Sequence, residues 1–175
     1  AESLNDTFRT KKWYPYNKGG EFRKWYGNDY CVIDWHNDGE NIKNNSEITG
    51  HHYQQYDNAL KFKSLVTWSR ISTGSPAFRI KPNGYLSDMA GFSMYSQRIN
   101  LVLLTAFCNS VVAELFLSFL APTLNFMIGP VTSMPLKESL AEESVIEYGT
   151  DAIQLSKNDW DSFETSWDFK RHPLV

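Results

Sequence analysis

The chain has 175 residues, of which 42% are hydrophobic, 21% charged and 15% aromatic. This composition is typical of a folded domain and excludes a disordered or collagen-like chain. Residues 1–100 carry a net charge of +3 and residues 101–175 one of −6, so we expect a polyanionic partner at the first half only.

The first half of the chain predicts a sheet-forming region. Residues 1–28 are rich in turn-forming types and are expected to be irregular, and residues 41–60 are polar and show no clear pattern. β-Branched and aromatic residues, followed by glycine-containing turns, predict strands. The predicted strands lie at residues 29–35, 65–72, 77–81 and 85–89, the last two forming a hairpin around Pro82-Asn83-Gly84.

Two apolar helices are predicted next, at residues 97–107 and 111–120, with Asn109 or Ser110 as the cap of the second. The stretch 101–120 is long enough for a membrane span, but a carboxylate at its centre, Glu114, favours core helices. On this interpretation Leu115 is a core residue, and Leu115→Asp is expected to unfold the chain.

The last quarter is acidic. Residues 123–136 predict an extended return to the sheet edge, and residues 138–148 predict a helix that ends at Gly149. A capping pattern at Ser156 predicts a second, short helix carrying Trp160. Trp160, Trp167 and Phe169 are candidates for docking against a neighbouring domain.

Signals of catalysis or metal binding are poor. His51 and His52 are adjacent and have no third ligand at a metal-binding spacing, and the sequence has no phosphate-binding glycine motif and no nucleophile elbow. The two cysteines, Cys31 and Cys108, are too few for a disulfide scaffold and favour a reducing cytoplasm. This chain is therefore predicted to hold no catalytic, cofactor or metal site of its own.

A basic and aromatic stretch, residues 11–26, is the strongest binding signal, and we call it the aromatic-basic segment. Cations neutralise phosphates and aromatic faces stack on bases or sugars, while Gly19 and Gly20 would let the backbone approach a ligand. The alternative is an aromatic loop packed on the core. The candidate DNA-binding residues of this segment are Lys11, Lys12, Trp13, Tyr14, Tyr16, Lys18, Arg23, Lys24 and Trp25.

A second candidate set follows on the predicted strands. Arg70 shares a strand face with Trp68, and Arg79 and Lys81 share a face of the predicted hairpin. Arginine can bind a guanine edge through two hydrogen bonds. Alternating solvent-facing charges on a half-exposed sheet are the other interpretation of the same pattern.

Five blocks of sequence resemble the PglX-type adenine-specific DNA methyltransferases of bacterial BREX phage-defence systems. They are KKWYPYNKGGEFRKWYGN (11–28), LVTWSRIS (65–72), GYLSDMAG (84–91), the region 106–136, and SKNDWDSFETSWDFKRHPL (156–174). The middle blocks also resemble target-recognition domains of other methylation and restriction systems.

The resemblance implies a parent enzyme that methylates adenine N6 with S-adenosylmethionine. The family's catalytic (Asn/Asp)-Pro-Pro-(Tyr/Phe) motif and its glycine-rich cofactor motif are missing here, so both are expected in a methyltransferase domain N-terminal to this piece. The chain starts without Met, which also suggests a piece of a longer protein. The implied partners are double-stranded DNA, that catalytic domain and other phage-defence proteins, in the cytoplasm and without a membrane.

We therefore predict an α+β domain, with one twisted, mostly antiparallel sheet, a helical pair and a short helical C-terminal extension. Residues 1–136 form the target-recognition domain, and residues 137–175 form a peripheral acidic extension leading to the next domain of the parent. A carbohydrate-binding module is the alternative function, since exposed aromatics also stack on sugars. A docking module that binds neither ligand is the third possibility.

Overall fold

The computed structural model describes residues 11–51, 57, 59–137 and 143–174. In this part of the chain six strands and five helices confirm the predicted α+β class. The strands are β1 (Trp13–Asn17), β2 (Cys31–Asp34), β3 (Leu65–Ser69), β4 (Phe78–Lys81), β5 (Leu86–Ser87) and β6 (Gly91–Met94). The helices are α1 (His36–Thr49), α2 (Leu101–Cys108), α3 (Val111–Leu120), α4 (Ile128–Thr132) and α5 (Glu143–Trp160).

The strands form two three-stranded sheets instead of the single sheet expected. The first has the order β2-β1-β5, with β1 antiparallel to β2 and parallel to β5. The prediction that residues 1–28 are irregular was wrong for β1, although this strand contains Pro15. Because β5 pairs only with Tyr16 and Asn17, the missing N–H of Pro15 breaks no ladder on that side.

The second sheet has the order β4-β3-β6 and is antiparallel throughout. The predicted hairpin between β4 and β5 is therefore wrong, because β5 joins the first sheet. The turn between them is held from outside instead: the Ser64 N–H donates to Asn83 Oδ1 at 2.7 Å, and the Gly84 N–H donates to Phe62 O.

The main core lies between the second sheet and α2, α3 and α4, where Trp68 and Phe78 pack with Leu104 and Leu117. A smaller cluster of Tyr14, Trp35, Phe62 and Leu86 packs on the first sheet. The two sheets are joined by the buried Asn17, whose Nδ2 donates to Thr67 Oγ1 at 2.7 Å and to Gly91 O at 3.0 Å.

Helix α1 occupies the polar region that shows no clear pattern in the sequence. Its first turn is irregular, because Asn37, Asp38 and Gly39 have φ values of 49°, 58° and 76°. The Asp38 carboxylate holds this turn in place by accepting hydrogen bonds from Lys43 and Lys61, each at 2.7 Å.

The helical pair α2 and α3 and the Ser110 cap were predicted correctly, but α2 begins at Leu101, after an Asn100 cap, and not at residue 97. The described residues include no single helix that is long and apolar enough to cross a membrane. Helices α2 and α3 taken together have the length and composition of a membrane span, but the chain bends by 65° between them. Leu115 is 60% exposed, so the prediction that it is a core residue is wrong, and we no longer expect Leu115→Asp to unfold the chain. The buried face of α3 instead carries Ala113 and Leu117.

The C-terminal region also differs from the expectation. Residues 123–136 contain the short helix α4, and Asn125 makes a strand-like bridge to Ile71. Residues 138–142 lie outside the described residues, but α5 runs through Gly149 without a break. A side chain at Gly149 would place its Cβ 2.8 Å from Val102 Cγ1, so this glycine serves the close packing of α5 on α2.

Candidate nucleic-acid interface

The aromatic-basic segment forms β1 and then a loop that packs on the rest of the chain. Gly19 (φ 78°) lies against Ala90, where an added Cβ would be 2.7 Å from the Ala90 carbonyl oxygen, and a Cβ on Gly20 (φ 130°) would meet Asn28 at 2.9 Å. The close backbone approach expected at these glycines is therefore an approach to the protein itself. It fixes the position of the exposed Lys18 that precedes them.

The outer residues of the segment remain at the surface. Lys11, Lys12, Trp13 and Lys18 are all exposed. The Lys12 ammonium lies 5.1 Å from the centre of the Trp13 ring and 3.8 Å from the Asp34 carboxylate. Because these cations point into solvent, they can pair with an external anion at little desolvation cost.

The inner aromatics of the segment are structural. Tyr14 is buried and packs on Phe62 with ring centres 4.9 Å apart. The Tyr16 hydroxyl donates to Asp88 at 2.8 Å. The backbone of Trp25 pairs with the edge of β4, its N–H donating to Phe78 O at 2.8 Å, which leaves the side chain half-buried. We therefore do not place these three aromatics in a DNA contact.

Arg23 and Lys24 are held by partners inside the chain. The Arg23 guanidinium pairs with Asp159, donates from Nε to Tyr26 O at 3.2 Å and lies 5.0 Å from the centre of the Trp160 ring. The Lys24 ammonium donates to Asn109 O at 3.2 Å. In this structure both cations attach the segment to helices, which competes with a phosphate contact.

For three residues of the second candidate set, burial contradicts the predicted DNA contact. Trp68 is a core residue, 1% exposed, whose Nε1 donates to Phe126 O at 2.8 Å. Arg79 and Lys81 are both 0% exposed, because the loop at residues 23–29 covers the face of β4 that carries them. Side chains with no accessible surface cannot contact DNA without refolding.

These two buried cations support the aromatic-basic segment from below. Arg79 donates to Arg23 O at 3.0 Å and to Ser69 Oγ at 3.1 Å, while Lys81 donates to Gly27 O at 2.6 Å and pairs with the buried Asp29. Arg79 Nε and one oxygen of Asp29 have no hydrogen-bond partner among the described residues. The network therefore positions the loop, but it leaves two buried polar atoms without a hydrogen bond, which lowers its net contribution to stability.

Burial is the main cause of the shifted pKa values in this network. It lowers the pKa of Lys81 to about 8 and that of Arg79 to about 10, in both cases against the opposing effect of the Asp29 carboxylate. The pKa of the neighbouring Tyr85 is raised, chiefly by burial and then by the same carboxylate. Arg79 and Lys81 thus share the buried carboxylate of Asp29 under the loop.

An open groove of about 570 Å³ lies between the loop and the end of β3. One side carries the exposed Phe22 and Glu21, and the floor includes Ser69, whose hydroxyl donates to Gly20 O at 2.7 Å. The groove is lined by Gly20, Glu21, Phe22, Ser69, Ile71, Ser72, Thr73 and Ala77. Exposed aromatic and hydroxyl groups around an open groove suit a polar, partly aromatic ligand.

Arg70 lies at the same corner of the molecule. Its backbone N–H donates to the Ala90 carbonyl oxygen at 2.9 Å, and Gly19 packs against the same oxygen. Its side-chain Nε donates to Asn125 Oδ1 at 3.2 Å. Arg70 is half-exposed and Asn125 is exposed. The structure thus brings the Lys18–Gly19 turn and the Arg70–Asn125 pair to one place beside the groove.

The described residues contain no group of three or more His, Cys, Asp or Glu side chains arranged to hold a metal ion. His52 lies outside the described residues. Cys31 and Cys108 are both free thiols, and burial raises the pKa of Cys108 to about 12.

Two curated proteins are similar to this chain over nearly its whole length. No family model matches it. It is 41% identical over 170 residues to adenine-specific methyltransferase PglX of Lacticaseibacillus casei (strain Zhang), covering 95% of this chain and 14% of the relative. It is 32% identical over 167 residues to adenine-specific methyltransferase BrxX of Escherichia coli O9:H4 (strain HS), covering 94% of this chain and 13% of that relative.

The chain is homologous to one segment of PglX-type adenine-specific methyltransferases. This confirms the resemblance inferred from the sequence blocks. The chain spans about one seventh of the length of these curated relatives, so most of a PglX-type polypeptide lies outside the aligned segment.

Within this PglX-type segment, sequence reasoning missed several residues that the structure brings into the site. Phe22 and Glu21 lie inside the aromatic-basic segment and line the groove, yet neither was selected. Asn125 lies in a stretch that predicted only an extended chain, and no local pattern connects it to Arg70. Asp29 lies two residues before the start of β2, and only the tertiary fold brings it to Lys81.

Proposed function

We propose that this segment binds duplex DNA and positions it for N6-adenine methylation by the rest of a PglX-type methyltransferase. The observation that carries the proposal is the open groove lined by the exposed Phe22, together with the exposed Lys18 and the half-exposed Arg70, which adjoin its lining residues Gly20 and Ser69 along the chain. The homology to adenine-specific methyltransferases supports it.

The exposure of each side chain determines the DNA contact that we propose for it. Lys11, Lys12 and Lys18 are exposed cations that would contact phosphates and set the register of the duplex. Arg70 and Asn125 would read bases, because arginine pairs with guanine and asparagine with adenine through two hydrogen bonds each. Phe22 would contact a thymine methyl group or a base face beside the groove.

Methyl transfer itself belongs to the remainder of the enzyme. Among the described residues no parallel strand is followed by a glycine-rich turn and a helix, which is the unit that binds nucleoside cofactors in α/β folds. We therefore place S-adenosylmethionine binding in the rest of the enzyme and not among these residues. In the proposed complex the catalytic domain extrudes the target adenine from the duplex that this segment holds, as part of a BREX-type phage defence.

The test is a binding titration with a full-length methyltransferase that carries this segment. Replacing Lys11, Lys12 and Lys18 together by Ala should weaken binding to all duplexes alike and reduce the salt slope by about 0.9 for each phosphate that is no longer neutralised. The matched control replaces Lys137, Lys170 and Arg171, which are also exposed and carry the same total charge. Equal effects of the two triple variants would mean a general charge effect and would contradict the proposed interface.

Arg70→Ala separates base reading from phosphate binding. We expect a loss of about 1–3 kcal/mol on the preferred sequence, little loss on other sequences and an unchanged salt slope. A wild-type segment that binds glycans with no dependence on salt, and does not bind DNA, would support the carbohydrate-binding alternative instead.

A further inference from the structure

Helix α3 presents an apolar surface that nothing in the described chain covers. Val111, Leu115 and Phe119 are spaced by four residues, so they lie on one side of the helix, and Val112 extends the same side. Their exposed fractions are 81%, 60% and 76% for the first three and 52% for Val112. We call these four residues the apolar stripe.

The opposite side of α3 is already packed. Ala113 and Leu117 are buried in the main core, and the Ser110 cap fixes the start of the helix. Phe116 also packs against that core, so only Glu114 and Ser118 interrupt the apolar character around the helix. A helix that is hydrophobic nearly all round is normally buried on all sides, whereas α3 is buried on one. The stripe therefore needs a second covering surface.

A groove runs along the edge of the same helix. It has a volume of about 380 Å³ and passes between α3 and the loop at Gly74–Pro76, with Leu117, Ala121 and Leu124 among its lining residues. Exposed apolar side chains next to a groove are the geometry that receives a helix or a loop from a partner.

We propose that the apolar stripe packs against another part of the same methyltransferase polypeptide, outside residues 1–175. The homologous segment makes up only 14% and 13% of the two relatives, so the covalently attached remainder is about six times larger than this segment and is always present beside it. An attached domain meets the stripe at a high effective concentration, which a second molecule does not. This inference rests on the homology and not on the proposed DNA binding.

Thiol labelling tests the interface without disturbing it. In a Cys31→Ser background, Leu115→Cys is compared between the 175-residue chain and a full-length methyltransferase that carries it, with a maleimide as the probe. Ile48→Cys on α1 is the matched control, since Ile48 is 85% exposed and belongs to a helix that contacts β2. The native Cys108 is buried and should stay unlabelled in both proteins.

We expect the thiol of the Leu115→Cys variant to be labelled at least tenfold more slowly in the full-length protein than in the 175-residue chain. The thiol of the Ile48→Cys control should be labelled at equal rates in both. Equal rates for Leu115→Cys would overturn the proposal. So would protection of that thiol in the 175-residue chain together with a dimeric mass by light scattering, because a second copy would then cover the stripe. Loss of DNA binding in the preceding experiments would leave this result unaffected.

Discussion

Arg23 and Asp159 form an ion pair across 136 residues of sequence, and the same guanidinium lies over the ring of Trp160 at 5.0 Å. Trp160 in turn meets Tyr30 edge-on, with ring centres 5.0 Å apart. Ser156, one turn earlier on α5, donates to Lys24 O at 3.0 Å. The C-terminal helix thus holds the aromatic-basic segment in position, and Trp160 is not free to dock a neighbouring domain.

This contact predicts a large difference between two tryptophans. Trp160 is 5% exposed and Trp167 is 49% exposed. Trp160→Ala should lower the free energy of unfolding by about 3–5 kcal/mol, because it leaves a cavity under Arg23 and Tyr30. Trp167→Ala should change it by less than about 1 kcal/mol. Urea titration followed by circular dichroism measures both, and equal losses would contradict the tight packing of α5 on the segment.

The buried carboxylate of Asp29 gives a second prediction. Asp29→Asn removes the negative charge that faces Lys81, so a buried ammonium is left without its counter-ion. The expected cost is about 3–5 kcal/mol in unfolding free energy. Asp159→Asn is the matched control, since it breaks an ion pair whose carboxylate is exposed and should cost less than about 1 kcal/mol. Similar costs for the two variants would show that Asp29 is not buried with Lys81.

Replacement by Asp should unfold the chain at one leucine of α3 and have almost no effect at another. Leu117 is 1% exposed, so Leu117→Asp buries an unpaired charge and should prevent folding of the 175-residue chain. Leu115→Asp places its charge in solvent and should leave the melting temperature of this chain almost unchanged. Thermal melts of the two variants show which face of α3 is buried. An unfolded Leu115→Asp variant would mean that the face carrying Leu115 is the buried one.

The Asp38 carboxylate predicts a pH dependence at the start of α1. Burial tends to raise its pKa, but hydrogen bonds from Lys43 and Lys61 prevail and lower it from 3.8 to about 2. A carboxylate with a depressed pKa stabilises the folded state above its unfolded pKa, and that stabilisation is lost as the pH falls from about 4 to about 2.

Asp38→Asn is the suitable variant, because asparagine tolerates the positive φ found at this position. Since the side chain is 56% exposed, the loss at pH 7 should be less than about 1 kcal/mol, and the difference from the wild type should vanish near pH 2. Asp151→Asn, at an exposed position of α5, is the matched control for the change of charge. A stability difference from the wild type that stays the same from pH 7 to pH 2 would contradict the role of the carboxylate.

Local chemistry determined a large part of this fold. The apolar runs at residues 101–108 and 111–120, with Asn100 and Ser110 as caps, specify two helices because capping and periodicity act within one or two turns. The β-branched residues of β2 and β3 likewise specify strands where the chain has them. The sequence blocks that resemble PglX-type methyltransferases also sufficed for the assignment that the comparisons confirm.

Tertiary structure alone decided which side chains are available for function. Arg79 and Lys81 alternate with apolar neighbours as solvent-facing residues would, but residues 23–29 cover them. Leu115 and Leu117 are equally apolar in sequence, yet only the packing of α3 on the second sheet determines which one is buried. Periodicity shows that an element has two faces, whereas the segment that covers each face comes from a distant part of the chain, and no local pattern encodes that long-range contact.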